Sequence, residues 1–132
     1  MAEPALPGGE LEYAVLRALW DLGSATAREV HDRVGAPADL VYTTIAKVLD
    51  RLLTKRLVAR RRRGKAFVFR AMVAREEIDR RRTERSIAEI LGTAPVQPAV
   101  AALVDAVESI DPRLLDELGK AVEERRRSRR GS

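Results

Sequence analysis

Five cations crowd one short stretch of this chain: Arg60, Arg61, Arg62, Arg63 and Lys65, arranged around Gly64. Upstream stand Tyr42, Thr43, Thr44 and Lys47, with Arg51 one helical turn further on. Guanidinium and ammonium groups make charge-assisted hydrogen bonds to phosphate oxygens. Threonine hydroxyls can bond a phosphate or a base edge, and the threonine methyl can touch a thymine methyl. The Tyr42 hydroxyl suits a phosphate. These residue types describe recognition of a polyanion rather than bond breaking.

Groups for covalent chemistry are scarce. There is one histidine, His31, and no cysteine. Disulfides, thiolate metal sites and cysteine nucleophiles are therefore excluded. No ligand set assembles around His31, which reads as a surface or packing residue. The expectation is no metal, no cofactor and no catalysis.

Charge placement sharpens the polyanion reading. The formal net charge is +5 over 132 residues. Residues 1–57 are net −1, residues 58–73 carry six basic and no acidic side chains, and residues 74–132 balance. The excess is a focused patch, as polyanion contact requires, rather than a uniform coat.

Local patterning shows what must position these groups. Met1–Gly9, rich in Pro, Gly and Ala, reads as a disordered lead. Leu11, Val15, Leu16, Leu19 and Trp20 fall at helical spacing over residues 10–22, ended by Gly23. Thr26 and Glu29 form a capping-box pair opening a short second helix, with Val30 and Val34 inward and Gly35-Ala36-Pro37 as its break. A third helix is expected over residues 41–55. Ile45, Val48, Leu49 and Leu52 share its buried side, while Thr43, Lys47, Asp50 and Thr54 lie opposite. Asp50 would repel phosphate, so the contact surface should stop before it. Residues 57–62 and 66–71 read as two strands around an Arg63-Gly64 turn. Tyr13 and Trp20 are expected to pack rather than to stack on a ligand.

Beyond Ala71 the pattern is helical. Ile78, Ile87, Ile90 and Leu91 mark one helix. Val100, Leu103, Val104 and Val107 mark a second. Asp111-Pro112 opens a third, carrying Leu114, Leu115, Leu118 and Val122. Three striped helices without aromatics make a thin core. A second copy is the natural cover, so residues Ile87 to Val122 of these stripes are expected to form a homodimer interface. Arg125–Ser132 reads as a basic, frayed tail. No apolar run reaches the length of roughly 18 residues needed by a membrane helix, and the N-terminus lacks signal-peptide features. A cytoplasmic location without membrane insertion is expected.

The segments LEYAVLRALWDLGSATAREVHDRV and DLVYTTIAKVLDRLLTKRLVARRRRGKAFVFRA carry a family likeness. The chain resembles the penicillinase-repressor family of winged-helix transcriptional repressors. The specific parts are L-E-x-x-V-L-x-x-L-W and Y-T-T-I-x-x-V-L-x-R-L; the C-terminal part matches in length and helical pattern alone. The resemblance implies a mainly α fold. A winged helix-turn-helix domain with a small β-hairpin wing (10–73) would precede a helical dimerisation region (74–124) and the basic tail (125–132). It implies binding to a palindromic operator in double-stranded DNA, and, for β-lactam-responsive members, release by a membrane metalloprotease sensor that cuts an Asn-Phe bond. This sequence contains no asparagine, and both phenylalanines, Phe67 and Phe69, lie in the wing. The cysteine site of copper-responsive members is missing as well. Val41-Tyr42 replaces the Ser-Pro that opens the recognition helix in staphylococcal members, and Asp39 is the expected substitute cap.

A rival from another class is a winged-helix module whose basic wing meets an acidic protein. Binding to duplex DNA separates the two. RNA reading fits less well, because the aromatic platform of single-strand readers is lacking.

Overall fold

The computed structural model describes residues 7–131. The residues before Pro7 in the expected lead lie outside this range. Pro7 itself is buried, and the Gly8 amide donates to Glu12 at 3.0 Å, so the ordered domain starts ahead of the expected residue 10.

Two compact units divide the chain, residues 1–83 and 84–132. The first contains helix α1 (Glu10–Leu22), strand β1 (Ala25–Thr26), helix α2 (Ala27–Val30) and helix α3 (Tyr42–Thr54), then strands β2 (Val58–Arg63) and β3 (Ala66–Ala71). Thr26 caps α2 as its spacing to Glu29 predicts: the Glu29 amide donates to Thr26 Oγ1 at 3.2 Å, and the Thr26 amide to Glu29 Oε1 at 2.9 Å. Residues 31–38 do not simply break the helix. They continue as a π-turn (His31–Gly35) and a 3-10 turn (Ala36–Ala38).

α3 buries Ile45, Val48, Leu49 and Leu52, the face expected from periodicity. Asp39 does not cap it. That residue sits in left-handed backbone at the end of the 3-10 turn, with φ 59°, and Val41 takes the cap position without a side-chain bond. At the other end, the Arg56 amide donates to Leu53 O and the Leu57 amide to Leu52 O, each at 3.0 Å. This is a Schellman ending, with Arg56 at φ 63° where glycine is usual. It delivers the chain straight into β2.

The sheet has the order β1-β3-β2 and is antiparallel throughout. Arg63 pairs with Ala66, so the two-residue turn is Gly64-Lys65, one place later than expected, with Gly64 supplying φ 62°. The short β1 pairs Ala25 with Phe69 and Thr26 with Val68, stitching the root of the wing to the start of α2. The core gathers Leu16, Leu19, Ile45, Leu49, Leu52 and Leu57 at zero exposure. Each contributes about 1.5–3 kcal/mol by burial.

The unit boundary falls later than the expected residue 74. Helix α4 (Arg75–Thr93) begins inside the first unit. Ile78 is fully buried there, the Tyr13 hydroxyl donates to Asp79, and the Trp20 indole donates to Val73 O at 2.9 Å. The Arg82 guanidinium lies 3.6 Å from the Tyr13 ring centroid. The Asp79 hydrogen bond, with burial behind it, raises the Tyr13 phenol above its ordinary pKa. Tyr13 and Trp20 are therefore packing residues, as expected.

The second unit holds the rest of α4, helix α5 (Val96–Ile110) and helix α6 (Arg113–Arg130). Asp111 accepts from the Arg113 amide at 3.0 Å and pairs with its guanidinium at 2.7 Å, which lowers the Asp111 carboxyl pKa. The expected fraying from Arg125 is not observed: α6 runs to Arg130. No described helix is long and apolar enough to cross a membrane.

Candidate nucleic-acid interface

α3 presents Tyr42, Thr43 and Lys47 exposed and Thr44 half-buried. The Thr44 amide is satisfied by Val41 O at 3.1 Å, and neither threonine side chain caps the helix. Both hydroxyls are thus left for an outside partner. Lys47 has no ion pair among the described residues.

Strand alternation splits the wing cations between two faces. Arg60 and Arg62 stand over Phe67, with guanidinium carbons 4.1 and 5.9 Å from the ring centroid. Arg62 Nε also donates to Gly64 O at 3.2 Å, bracing the turn. Arg61 pairs across the strands with Val68 and faces the other way, beside Arg70. Arg63 is near enough to Glu29 for its charge to help lower that carboxyl; the larger causes are the Thr26 amide and hydroxyl. Lys65 lies in the turn. All five wing cations are exposed.

Between α2, α3 and the wing lies a recess of about 530 Å³. Arg28, Tyr42, Arg60, Lys65 and Phe67 line it, and Asp50 is the one acidic side chain among the lining residues. One flank of the interface therefore presents cations with an aromatic floor. Asp50, expected to lie beyond the contact surface, shares this recess with the cations.

Arg51 also has a partner within the protein. Its Nε lies 3.7 Å from Glu12 Oε2, on the α1 flank of the helix, and Lys55 Nζ meets the same carboxylate at 2.7 Å. Burial pushes the Glu12 carboxyl up, but the Lys55 hydrogen bond, the Gly8 amide and the two cations outweigh it and hold the pKa below its ordinary value. Arg51 thus shares the Glu12 carboxylate with Lys55 while its side chain stays exposed.

Sequence reasoning missed Arg28. Its guanidinium lies 5.5 Å from the Tyr42 ring centroid, and the His31 ring meets Tyr42 edge-on at 6.1 Å. The signal available was a cation in the first turn of a helix whose start the capping box had already located. His31 packs as expected, with a buried Nδ1 that has no hydrogen-bond partner among the described residues. Among those residues no His/Asp/Glu cluster could hold a metal ion.

A short helix, a second helix with an open polar first turn, and a basic antiparallel wing define a winged-helix protein of the DNA-binding class. Residues 8–124 match the model of the penicillinase repressor family, and the chain belongs to that family. It is 34% identical over 117 residues to the Transcriptional regulator BlaI of Mycobacterium tuberculosis, covering 88% of this chain and 83% of that one. Its relatives are transcriptional regulators, a non-enzymatic family. The solution structure of the DNA-binding domain of the repressor BlaI matches with a TM-score of 0.50 at 21% identity, over 57% of this chain and 93% of that domain. The PcaV transcriptional regulator from Streptomyces coelicolor matches with a TM-score of 0.50 at 26% identity, over 79% and 74% of the two chains.

Proposed function

We propose that this transcriptional regulator is a cytoplasmic repressor that binds a palindromic operator as a homodimer. The first turn of α3 enters the major groove, where Thr43, Thr44 and Lys47 meet base edges and Tyr42 a phosphate. Arg61, Arg63 and Lys65 hold backbone phosphates from the wing, and Arg60 and Arg62 do so from their seats on Phe67. The observation that carries this reading is the concentration of exposed cations on the wing beside a recognition helix on which the Thr43, Thr44 and Lys47 side chains have no partner among the described residues.

The dimer is supported by apolar surface in the second unit. Ile87, Ile90, Val100, Val104, Leu114 and Val122 remain exposed, whereas Leu91, Leu103, Val107, Leu115 and Leu118 are half-buried. A recess of about 430 Å³ opens between α4 and α5, lined by Ile87, Ile90, Leu91 and Leu103 among others. A homodimer that reads a palindrome must hold its two α3 helices one DNA turn, about 34–36 Å, or a multiple of that apart. Release from the operator, by proteolysis or by another signal, acts outside the wing and α3. The Asn-Phe bond used in β-lactam-responsive relatives is absent from the sequence, so a membrane metalloprotease partner would have to cut elsewhere.

The test is duplex binding across a salt series. Replacing Arg61, Arg62 and Arg63 with Ala weakens binding to every duplex and lowers the salt slope by about 0.9 for each phosphate no longer neutralised. Thr44→Ala or Lys47→Ala instead relaxes base preference, by about 1–3 kcal/mol at the affected base. Wing variants that bind as tightly as wild type at moderate salt would sink the proposal in favour of an acidic protein partner.

A further inference from the structure

Residues 74–132 are neutral as a whole, but this conceals two opposed segments. Residues 74–124 are net −5, and Arg125, Arg126, Arg127, Arg129 and Arg130 supply +5 in the last turns of α6. All five are exposed. Arg130 lies 3.6 Å from Glu123, but among the described residues no acidic side chain pairs with Arg125, Arg126, Arg127 or Arg129.

Two physical features set this run apart from an ordinary helix end. One or two cations suffice to complement the C-terminal dipole. Here Arg125 and Arg129, and Arg126 and Arg130, stand four residues apart as like-charged neighbours, a spacing that destabilises an isolated helix. Elsewhere the protein places opposite charges at such spacings, as in Arg75–Asp79, Glu77–Arg80 and Glu117–Lys120, and like charges more sparsely, as in the pair Arg81 and Arg85. In addition, at about 100° per residue, Arg125 and Arg129 fall on the line of Leu118 and Val122. The apolar seam of α6 therefore ends at Val122, and guanidinium groups take its next positions. From Glu123 to Arg130 the helix carries no apolar side chain.

We propose that the C-terminal turns of α6 are a second DNA-backbone contact, separate from the wing and blind to sequence. This rests on the DNA-binding reading above. Five guanidinium groups spread over roughly 200° of the helix surface cannot all meet one flat acidic face. A helix end lying along a groove has phosphates on both flanks, and each planar fork can engage one bidentately. Neutralising the run also relieves its internal repulsion, so the contact is stronger than the same cations dispersed. The role is grip and capture from nonspecific DNA, which offsets the repulsion of the acidic segment before it.

The full-length R125Q/R126Q/R127Q/R129Q variant tests this, since Gln keeps helix propensity. Binding is measured against salt on two probes, a mixed-sequence duplex and a duplex from upstream of the chain's own gene. The R61Q/R63Q variant serves as reference, and sedimentation reports the oligomeric state. The expected result is a salt slope lowered by about 0.9 for each phosphate that the variant leaves free, with affinity down about tenfold on both probes alike. Helical content, oligomeric state and the ratio between probes stay unchanged, and the matching Arg→Lys variant restores the slope. An unchanged slope, where the wing reference does lose slope, overturns the proposal and leaves the DNA-binding reading intact. Weakened self-association with unchanged DNA binding also overturns it, because the arginines would then pair with acidic helices of a second copy. Wild-type protein that binds neither duplex would defeat the underlying reading instead.

Discussion

The two units use the same amphipathic code with opposite outcomes. Every buried apolar side chain among the described residues, except Ala99, lies in residues 1–83. The stripes of residues 84–132 are just as regular, yet they leave Ile90 67% and Val100 50% exposed. The cause is visible in composition. All five aromatic residues belong to the first unit, where helices also close against a sheet. The second unit has Ala between its larger apolar residues and no sheet to lie on. Periodicity thus reports which face is buried; side-chain volume decides whether the chain can bury it alone.

Separating the units should give the largest effect. Residues 1–83 are expected to unfold cooperatively at a temperature independent of protein concentration. Residues 84–132 are expected to fold only by self-association, so that their midpoint rises with concentration. Circular dichroism melts over a concentration series, with sedimentation at each point, provide the measurement. A concentration-independent melt of the second fragment would break the comparison.

A single substitution, glycine to alanine, should then act with opposite sign in the two units. A Cβ on Gly35 would lie 2.3 Å from His31 Nδ1 and 2.8 Å from Ile45 Cγ1, beneath the start of α3. Gly35→Ala is expected to cost about 1–3 kcal/mol by overpacking. Gly119 lies within α6 with nothing within 4 Å of its Cβ position. Gly119→Ala is expected to add about 0.5–1 kcal/mol. Urea melts of both variants read the contrast. Equal signs would mean that the close packing around Gly35 has room to relax.

Much of the first unit was legible because its signals are local. The faces of α1 and α3, the Thr26–Glu29 cap and the basic wing each depend on residues within a few turns. What was missed depends on distant partners. β1 is two residues long and exists because Phe69 and Val68 offer backbone groups to it. The unit boundary moved into α4 because Ile78 is buried in the core and Tyr13 reaches Asp79 from the opposite end of the domain. The α6 extension was legible in Arg helix propensity, but basic composition at a terminus suggested fraying more strongly. For the candidate site, the hairpin pattern placed Arg60, Arg61 and Arg62 on a strand and Lys65 in the region of the turn, where the structure has them. The cations' commitments were hidden: Phe67 seats Arg60, Tyr42 receives Arg28, and Glu12 holds Arg51.

That last pairing supports the smallest prediction, and the one that best separates stability from binding within the winged unit. Glu12 accepts from Lys55 and from the Gly8 amide, tying the start of the domain to α3. Its folded pKa is lowered, so the carboxylate stabilises the fold above the ordinary value near 4.3, and that contribution is lost as pH falls through the folded pKa. Glu12→Gln should therefore cost about 1 kcal/mol at neutral pH. The gap to wild type should close as acid protonates Glu12 in the parent. DNA affinity should move the other way, becoming tighter at low ionic strength, because Arg51 and Lys55 lose their internal counter-charge and the α1 flank of α3 gains net positive charge. Urea melts between neutral and acid pH, with duplex binding on the same samples, measure both. A stability gap that persists unchanged into acid would show that Glu12 acts through packing rather than charge. Weaker DNA binding in the variant would show that the Glu12 clamp positions α3 for the groove.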